Sequence, residues 1–116
     1  MDAIEITRIQ ATFDRFGKRF LDRIYTENEQ RYSRNRAEEL AVRFAGKEAI
    51  SKALGTGMRG ISWRDLEILN NRRGKPFVRL HGAARARAEQ LGLTNFEISL
   101  THSRDLAIAF VVATTD

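Results

Sequence analysis

The sequence contains no cysteine. This absence excludes a disulfide framework, a thiolate nucleophile and a cysteine-ligated zinc site. The chain also has no apolar run close to the roughly 18 residues that a membrane helix needs. Residues 1–5 carry neither the basic segment nor the apolar segment of a secretory signal. We therefore expect a cytoplasmic protein that does not enter a membrane.

No internal repeat, low-complexity tract or linker divides the chain. Its 116 residues suit one compact domain spanning 1–116. Hydrophobic residues make up 42% and charged residues 30%, which is an ordinary balance for a globular domain.

Acidic residues are fewer than basic ones, 15 against 20, and the net charge is +5. Positive charge favours anionic partners, and nucleic acid, a phosphorylated cofactor and an acidic protein all qualify. Basic residues crowd the first third of the chain, at Arg8, Arg15, Lys18, Arg19, Arg23, Arg31, Arg34 and Arg36. A solvated basic face without a partner is the simplest alternative.

Hydrophobic periodicity predicts an α+β domain with a small antiparallel sheet packed on helices. The predicted helices are one bearing Phe13, Phe16, Phe20 and Ile24, a short one opened by a capping box of Thr26 and Glu29, and helices over 37–54 and 83–91. Strands are predicted over 2–6, 63–69, 76–80 and 106–113, with a further strand placing Phe96, Ile98, Leu100 and His102 on one face. Residues 70–75 and 102–105 would form the turns.

The predicted helix over 37–54 carries charges on a surface that is otherwise apolar on most sides. Lys47 falls within its large apolar stripe, and Glu48 and Lys52 follow. Such charges must be paired, snorkelled or used. One interpretation is an i,i+4 pair of Glu48 with Lys52. The other is a site in which Glu48 holds a divalent cation and the lysines hold phosphate. The pattern alone leaves both open.

Several motifs resemble one known family. The run RFAGKEAISKALGTG over 43–57 contains the FxxKEAxxKA signature of 4′-phosphopantetheinyl transferases, in particular that of the small bacterial holo-acyl-carrier-protein synthases. DAIEITRI over 2–9 matches the family's N-terminal GxD motif from the Asp onward, although the glycine of the motif is missing and Met1 stands directly before Asp2. Further matches are GISWRDLEI over 60–68, GKP over 74–76, LHG over 80–82 and SLTHS over 99–103.

The resemblance implies an enzyme that transfers phosphopantetheine from coenzyme A to a serine of apo acyl carrier protein, releasing 3′,5′-ADP. Asp2 and Glu48 match the Mg²⁺ ligands. Glu48 and Lys52 would be catalytic, with Lys52 contacting phosphate, and Lys47 would be a further phosphate contact or a structural cation. The general base would be Glu48 or a metal-bound water.

Other matched positions would bind coenzyme A or the partner. Arg43, the loop of Gly55, Thr56 and Gly57, and His102 would contact the cofactor, although a helix stop for the loop and a structural role for His102 remain open. Arg8, Arg15 and Arg19 would dock the acidic carrier protein. The resemblance also implies a homotrimer with coenzyme A between neighbours.

Two other classes compete with this interpretation. A basic α+β module could bind nucleic acid, but aromatic residues are not interleaved with the basic ones, and Asp2 and Glu48 would have no role. A catalytically inactive relative is the third possibility. We expect no nucleic-acid partner, and metal dependence separates the enzyme from both alternatives.

Overall fold

Residues 1–115, which the computed structural model describes, form five helices and five strands, with two clusters of buried hydrophobic residues. In chain order these are β1 (Asp2–Glu5), α1 (Ile6–Phe16), α2 (Lys18–Ile24), α3 (Glu27–Ser33), α4 (Ala37–Ala53), β2 (Leu66–Asn70), β3 (Pro76–Leu80), α5 (Gly82–Leu91), β4 (Asn95–His102) and β5 (Leu106–Thr114). A 3₁₀ turn, Trp63–Asp65, precedes β2. The predicted α+β class is confirmed.

The strands lie in two antiparallel sheets, whereas the sequence predicted one. The first has the order β1-β5-β4, and the second is the β2-β3 hairpin. In the first sheet, Ala109 of β5 lies between Asp2 of β1 and Leu100 of β4. Ala109 is completely buried, so this row of residues belongs to the inner face, toward α4. Asp2 therefore points from the sheet toward the central helix.

Three predicted boundaries were wrong for local reasons. The predicted helix over 13–24 breaks at Gly17, whose φ of +57° favours glycine, so α1 and α2 are separate helices. The predicted strand over 63–69 starts only at Leu66, because Ser62 and Asp65 close a capping box around the 3₁₀ turn. Ile6, predicted as the end of a strand, is the first residue of α1.

The capping box that opens α3 is confirmed. The Thr26 hydroxyl accepts a hydrogen bond from the Glu29 amide at 3.2 Å, and the Thr26 amide donates to Glu29 Oε1 at 2.9 Å. This arrangement satisfies two amides at the helix start. It also directs the Glu29 side chain into the core, where Glu29 is completely buried.

Helix α4 is the centre of the domain and packs on nearly all sides. It contacts the inner face of the three-stranded sheet, β2 and α1. Its buried residues are Leu40, Ala41, Val42, Arg43, Ala45, Gly46, Lys47, Ala49, Ile50 and Ser51. Three residues of its second half are exceptions, since Glu48 and Ala53 are half-buried and Lys52 is exposed.

Candidate active site

The acidic side chains of β1 and α4 meet where the first strand passes the second half of the helix. Asp2 Oδ1 accepts a hydrogen bond from Lys52 Nζ at 2.6 Å. The Asp2 side chain is only 11% exposed. Its second oxygen, Oδ2, is buried without a hydrogen-bond partner among residues 1–115. A buried carboxylate oxygen with free lone pairs is a ready ligand for a cation.

Glu48 faces the same place. Burial raises the pKa of Glu48, and the charge of Asp2 raises it further, while Lys52 and Arg8 oppose the shift. Two carboxylates close enough to repel each other favour either a shared proton or a bound cation. The hydrogen bond to Asp2 raises the pKa of Lys52. Among the ion pairs of residues 1–115, Lys52 is bound to Asp2 and not to Glu48.

The donor set fits Mg²⁺ better than a closed structural metal site. Within residues 1–115 no group of three or more His, Cys, Asp or Glu side chains could hold a metal ion. Mg²⁺ in proteins is commonly held by one or two carboxylates together with waters and substrate phosphates. Asp2 and Glu48 supply the carboxylates, and the unpartnered Oδ2 of Asp2 gives the pair an open ligand atom.

The predicted cofactor loop directly follows α4. Gly55 and Gly57 have φ values of +76° and +56°, which a residue with a side chain rarely adopts. Thr56 lies between them and donates its hydroxyl hydrogen bond to the Gly57 carbonyl. Lys52, in the last turn of α4, therefore stands beside this loop. The structure brings Asp2, Glu48, Lys52 and the loop to one end of the helix.

Lys47 and Arg43 are not part of this cluster, because both point into the core. Lys47 is fully buried and donates to Glu29 Oε1, the Trp63 carbonyl and the Leu66 carbonyl. Its three N–H groups thus have three acceptors, and none is left for a phosphate. Of the two roles expected for Lys47, the geometry favours the structural cation.

Arg43 is equally buried. Its guanidinium bonds Glu39 Oε1 at 2.9 Å, the Ile68 carbonyl at 3.3 Å and Asn70 Oδ1. The guanidinium also lies over the Tyr32 ring, 4.6 Å from the centroid. These contacts favour a structural role, in place of the expected phosphate contact.

His102 lies apart from the carboxylates within one chain. It ends β4 opposite Ala107, whereas Asp2 pairs with Ala109 on the other side of β5. The Cα atoms of His102 and Asp2 are therefore two strand spacings and two residues of offset apart, which gives a separation of about 12 Å. His102 is exposed and lines a separate cavity of about 230 Å³ with Tyr32, Asn70 and others.

The predicted docking arginines lie on α1 and α2. Arg19 borders an apolar cavity of about 430 Å³ whose walls include Phe16, Phe44 and Trp63. Phe44 and Trp63 stack there with ring centroids 4.9 Å apart. The sequence did not single out this cavity, because Trp63 and Phe44 are far apart in the chain.

Arg15 and Arg8 complete the predicted docking set. Arg15 lies over the Phe16 ring, 5.1 Å from the centroid. Arg8 is close enough to Glu48 for its charge to oppose the rise in the pKa of that carboxyl. The basic face of α1 and the carboxylate cluster are therefore neighbours.

Comparison with known proteins gives consistent matches over nearly the whole chain. The family model of the 4′-phosphopantetheinyl transferase superfamily matches residues 1–111. A holo-(acyl-carrier-protein) synthase of Herpetosiphon aurantiacus is 49% identical over 119 residues, covering 97% of this chain and 94% of the relative. One of Solibacter usitatus is 46% identical over 116 residues, covering 97% and 93%.

Solved structures agree with this result. The holo-(acyl-carrier-protein) synthase of Helicobacter pylori in complex with coenzyme A has a TM-score of 0.89 at 29% identity, covering 97% of this chain and 96% of that one. The Bacillus anthracis synthase in complex with CoA (3′,5′-ADP) has a TM-score of 0.78 at 36% identity, covering 97% and 90%.

The chain therefore belongs to the 4′-phosphopantetheinyl transferase superfamily. The small holo-acyl-carrier-protein synthase type predicted from the sequence is confirmed, as is the prediction that the chain is an enzyme. Among the described residues, 1–115, no helix has both the length and the apolar character needed to span a membrane.

Proposed function

We propose that this chain transfers the 4′-phosphopantetheine group of coenzyme A to a serine of apo acyl carrier protein, with Mg²⁺, and releases 3′,5′-ADP. The carboxylates of Asp2 and Glu48 carry the proposal, because one of their oxygens is buried and unpartnered beside an exposed lysine. A relative that is 49% identical in sequence to this chain is named for this synthase activity, and two similar solved structures hold coenzyme A or its nucleotide portion. We place the reaction in the cytoplasm.

The reaction is a phosphoryl-type transfer, in which positioning and charge neutralisation dominate. The serine Oγ attacks the phosphorus that carries pantetheine, the bond from that phosphorus to 3′,5′-ADP breaks, and the serine proton leaves to a base. Bound Mg²⁺ would neutralise charge on the pyrophosphate. Asp2 and Glu48 would hold it, and the serine proton would pass to Glu48 or to a nearby water.

Lys52 would contact the phosphates. Its side chain is 66% exposed, so it can turn from Asp2 toward a ligand without disturbing the core. The C-terminal end of a helix repels anions, and a cation in the last turn of α4 offsets this effect. Gly55, Thr56 and Gly57 would let the backbone approach the cofactor, since glycine presents no side chain.

The acidic carrier protein would dock on α1 and α2. Arg8, Arg15 and Arg19 supply positive charge, and the cavity beside Arg19 offers an apolar contact. Arg8 connects this face to Glu48, so a carrier docked there would deliver its serine near the carboxylates. Electrostatic docking of this kind raises the association rate and weakens with salt.

We also propose that the chain assembles as a homotrimer. The outer face of the three-stranded sheet exposes Leu106, Phe110 and Val112, at 39%, 51% and 44%. An apolar row on a sheet face is typical of an interface. Copies of this chain would cover it and bring the His102 cavity of one subunit to the carboxylates of another. Light scattering should give three times the chain mass, and Phe110→Glu should reduce that mass.

The decisive experiment is intact-mass spectrometry of apo acyl carrier protein incubated with this chain and coenzyme A, with Mg²⁺ or with chelator. We expect a phosphopantetheine mass gain that requires the metal. Asp2→Asn and Glu48→Gln should abolish the gain while leaving circular dichroism unchanged. No gain with the folded wild-type chain, when another transferase modifies the same carrier, would refute the proposal.

A further inference from the structure

The edge of strand β2 that faces away from β3 is bonded by side chains rather than by another strand. In an antiparallel pair, alternate residues direct their backbone groups away from the partner strand. The Leu66 carbonyl accepts from Lys47 Nζ at 2.7 Å, and the Ile68 amide donates to Glu29 Oε2 at 2.9 Å. The Ile68 carbonyl accepts from Arg43 Nε at 3.3 Å. Three consecutive outward groups of β2 are thereby satisfied.

Glu29 and Lys47 form the centre of this arrangement, which we call the buried brace. They are 18 residues apart, both completely buried, and joined by a 2.8 Å ion pair. Glu29 Oε1 also accepts from the Thr26 amide at 2.9 Å, so the pair ties α3, α4 and β2 together. A buried ion pair with every donor and acceptor used fixes geometry closely, because each shift would leave a buried group unsatisfied.

Phe44, Glu48 and Lys52 form one stripe of α4 that is not fully buried, so apolar burial sets the rotation of the helix about its axis only coarsely. A small rotation would change the buried apolar area little, whereas it would strain the hydrogen bonds of the brace on the β2 side. The sites beside the brace are also tightly packed. A Cβ built on Gly46 would lie 2.5 Å from Ile68 Cδ1, so the helix backbone approaches β2 closely one residue before Lys47.

Rotation of α4 matters because Glu48 directly follows Lys47. Successive side chains on a helix point about 100° apart, so the direction of Lys47 toward β2 determines the direction of Glu48 toward Asp2. At about 5–6 Å from the helix axis, a rotation of about 10° moves a carboxylate by about 1 Å. A displacement of about 1 Å can lower a reaction rate by about 100-fold.

We propose that Glu29 and Lys47 are positioning residues, which set the rotation of α4 and so hold Glu48 beside Asp2. This inference rests on the proposed function for its kinetic consequence. Lys47, for which the resemblance implied a phosphate contact or a structural cation, thus acts through Glu48 and does not touch the cofactor.

The test replaces the buried pair by a neutral pair of similar size, Glu29→Gln with Lys47→Met. Removing both charges avoids an uncompensated buried ion, and such neutral replacements are often tolerated. The matched control is Tyr25→Phe, which removes the buried hydrogen bond from the Tyr25 hydroxyl to the Leu40 carbonyl. That bond also anchors α4, but about two turns before Glu48.

Three quantities are measured on each folded variant, well below its melting temperature: kcat, KM for acyl carrier protein, and Mn²⁺ affinity of the protein alone by electron paramagnetic resonance. For the double variant we expect kcat to fall about 10- to 100-fold. The Mn²⁺ dissociation constant should rise about 10-fold, while KM for the carrier should change less than kcat, because the brace reaches the proposed docking surface only through the Trp63 carbonyl. Tyr25→Phe should melt earlier with kcat and Mn²⁺ affinity unchanged.

Wild-type kcat and Mn²⁺ affinity in the folded double variant would overturn the inference. An equal loss of kcat in Tyr25→Phe would do the same, because any weakened contact of α4 would then suffice. If the double variant does not fold, Glu29→Asp decides, because it keeps both charges and shortens the brace by one methylene; an unchanged kcat and Mn²⁺ affinity there count against positioning. If the wild-type chain shows no transfer, the proposed function fails, and the Mn²⁺ affinities alone decide on the brace.

Discussion

The close approach of α4 to β2 at Gly46 makes a sharp prediction for Gly46→Ala. The added Cβ would lie 2.5 Å from Ile68 Cδ1, 3.4 Å from Ile98 Cδ1 and 3.5 Å from Leu100 Cδ2. Only the first distance is a clash. Ile68 is completely buried, so its terminal methyl has little space into which to move.

Two opposing effects determine the magnitude. Overpacking a core typically costs about 1–3 kcal/mol. Alanine is favoured over glycine within a helix by about 1 kcal/mol. The net expectation for Gly46→Ala is a loss of about 1 kcal/mol, which lowers the melting temperature by roughly 4 °C. The transfer rate should fall as well, because the displaced segment of α4 carries Glu48.

A second substitution, Ile68→Val, should reverse the sign of the effect of Gly46→Ala on the free energy of unfolding. Ile68→Val deletes the clashing Cδ1 atom and alone costs about 1 kcal/mol. In that background, the remaining neighbours of the new Cβ lie at ordinary contact distances, and only the helix preference is left. Gly46→Ala should then stabilise the chain by up to about 1 kcal/mol, a coupling of about 2 kcal/mol between the two sites.

Urea unfolding of the four chains at one fixed protein concentration measures this coupling, since assembly makes stability concentration-dependent. Mass-spectrometric transfer assays on the same samples should show the rate of Gly46→Ala restored in the double variant. Equal effects of Gly46→Ala in both backgrounds would refute the argument, because the helix and the strand would then not be in close contact at this point.

Three further predictions concern the site. Burial and the charge of Asp2 raise the pKa of Glu48, so the contribution of Glu48 to stability is complete below its unfolded pKa and is lost as pH rises through its folded pKa. With chelator, Glu48→Gln should therefore melt later than wild type at pH 8, with the advantage vanishing near pH 4. An earlier melting at pH 8 would contradict this. Lys52→Met should raise the dissociation constant of coenzyme A in calorimetry about 10-fold, and an unchanged value would leave Lys52 with only its Asp2 contact. Arg15→Glu should raise KM for the carrier more than KM for coenzyme A, whereas Arg85→Glu, the same charge reversal on α5, should change neither, and equal effects of both would argue against docking on α1.

Local signals in the sequence were sufficient for much of the fold. The capping box of Thr26 and Glu29 lies within one helical turn, and its residues predict α3 correctly. The core helix over 37–54 ends within one residue of the prediction, because its apolar pattern and the following glycine are both local. Gly17 was missed, since the phenylalanine spacing of residues 13–20 continues unbroken across the kink.

Contacts between distant residues could not be obtained in this way. Asp2 and Lys52 are 50 residues apart, and only the family resemblance joined the first strand to the core helix. The fate of Lys47 was less accessible still, because its acceptors include two backbone carbonyls, which carry no sequence signal. A lysine inside an apolar stripe is compatible with a phosphate ligand and with a buried pair, and the choice depends on where Glu29 points.

Helix α4 carries Lys47, which pairs with Glu29 in the core, and Glu48, which faces Asp2 at the site. The contrast between these two pairs explains how one helix can serve both the core and the site. Lys47 and Glu29 satisfy each other and the β2 edge, so a ligand gains nothing by disturbing them. Asp2 Oδ2 is one of two buried side-chain atoms of residues 1–115 without a partner, and an unsatisfied buried group costs about 1–3 kcal/mol. A cation bound there would recover that cost, and only the folded chain presents both carboxylates together. Under the proposed function, cation binding would therefore stabilise the fold, whereas the brace would have to be formed before the cation could contact both carboxylates.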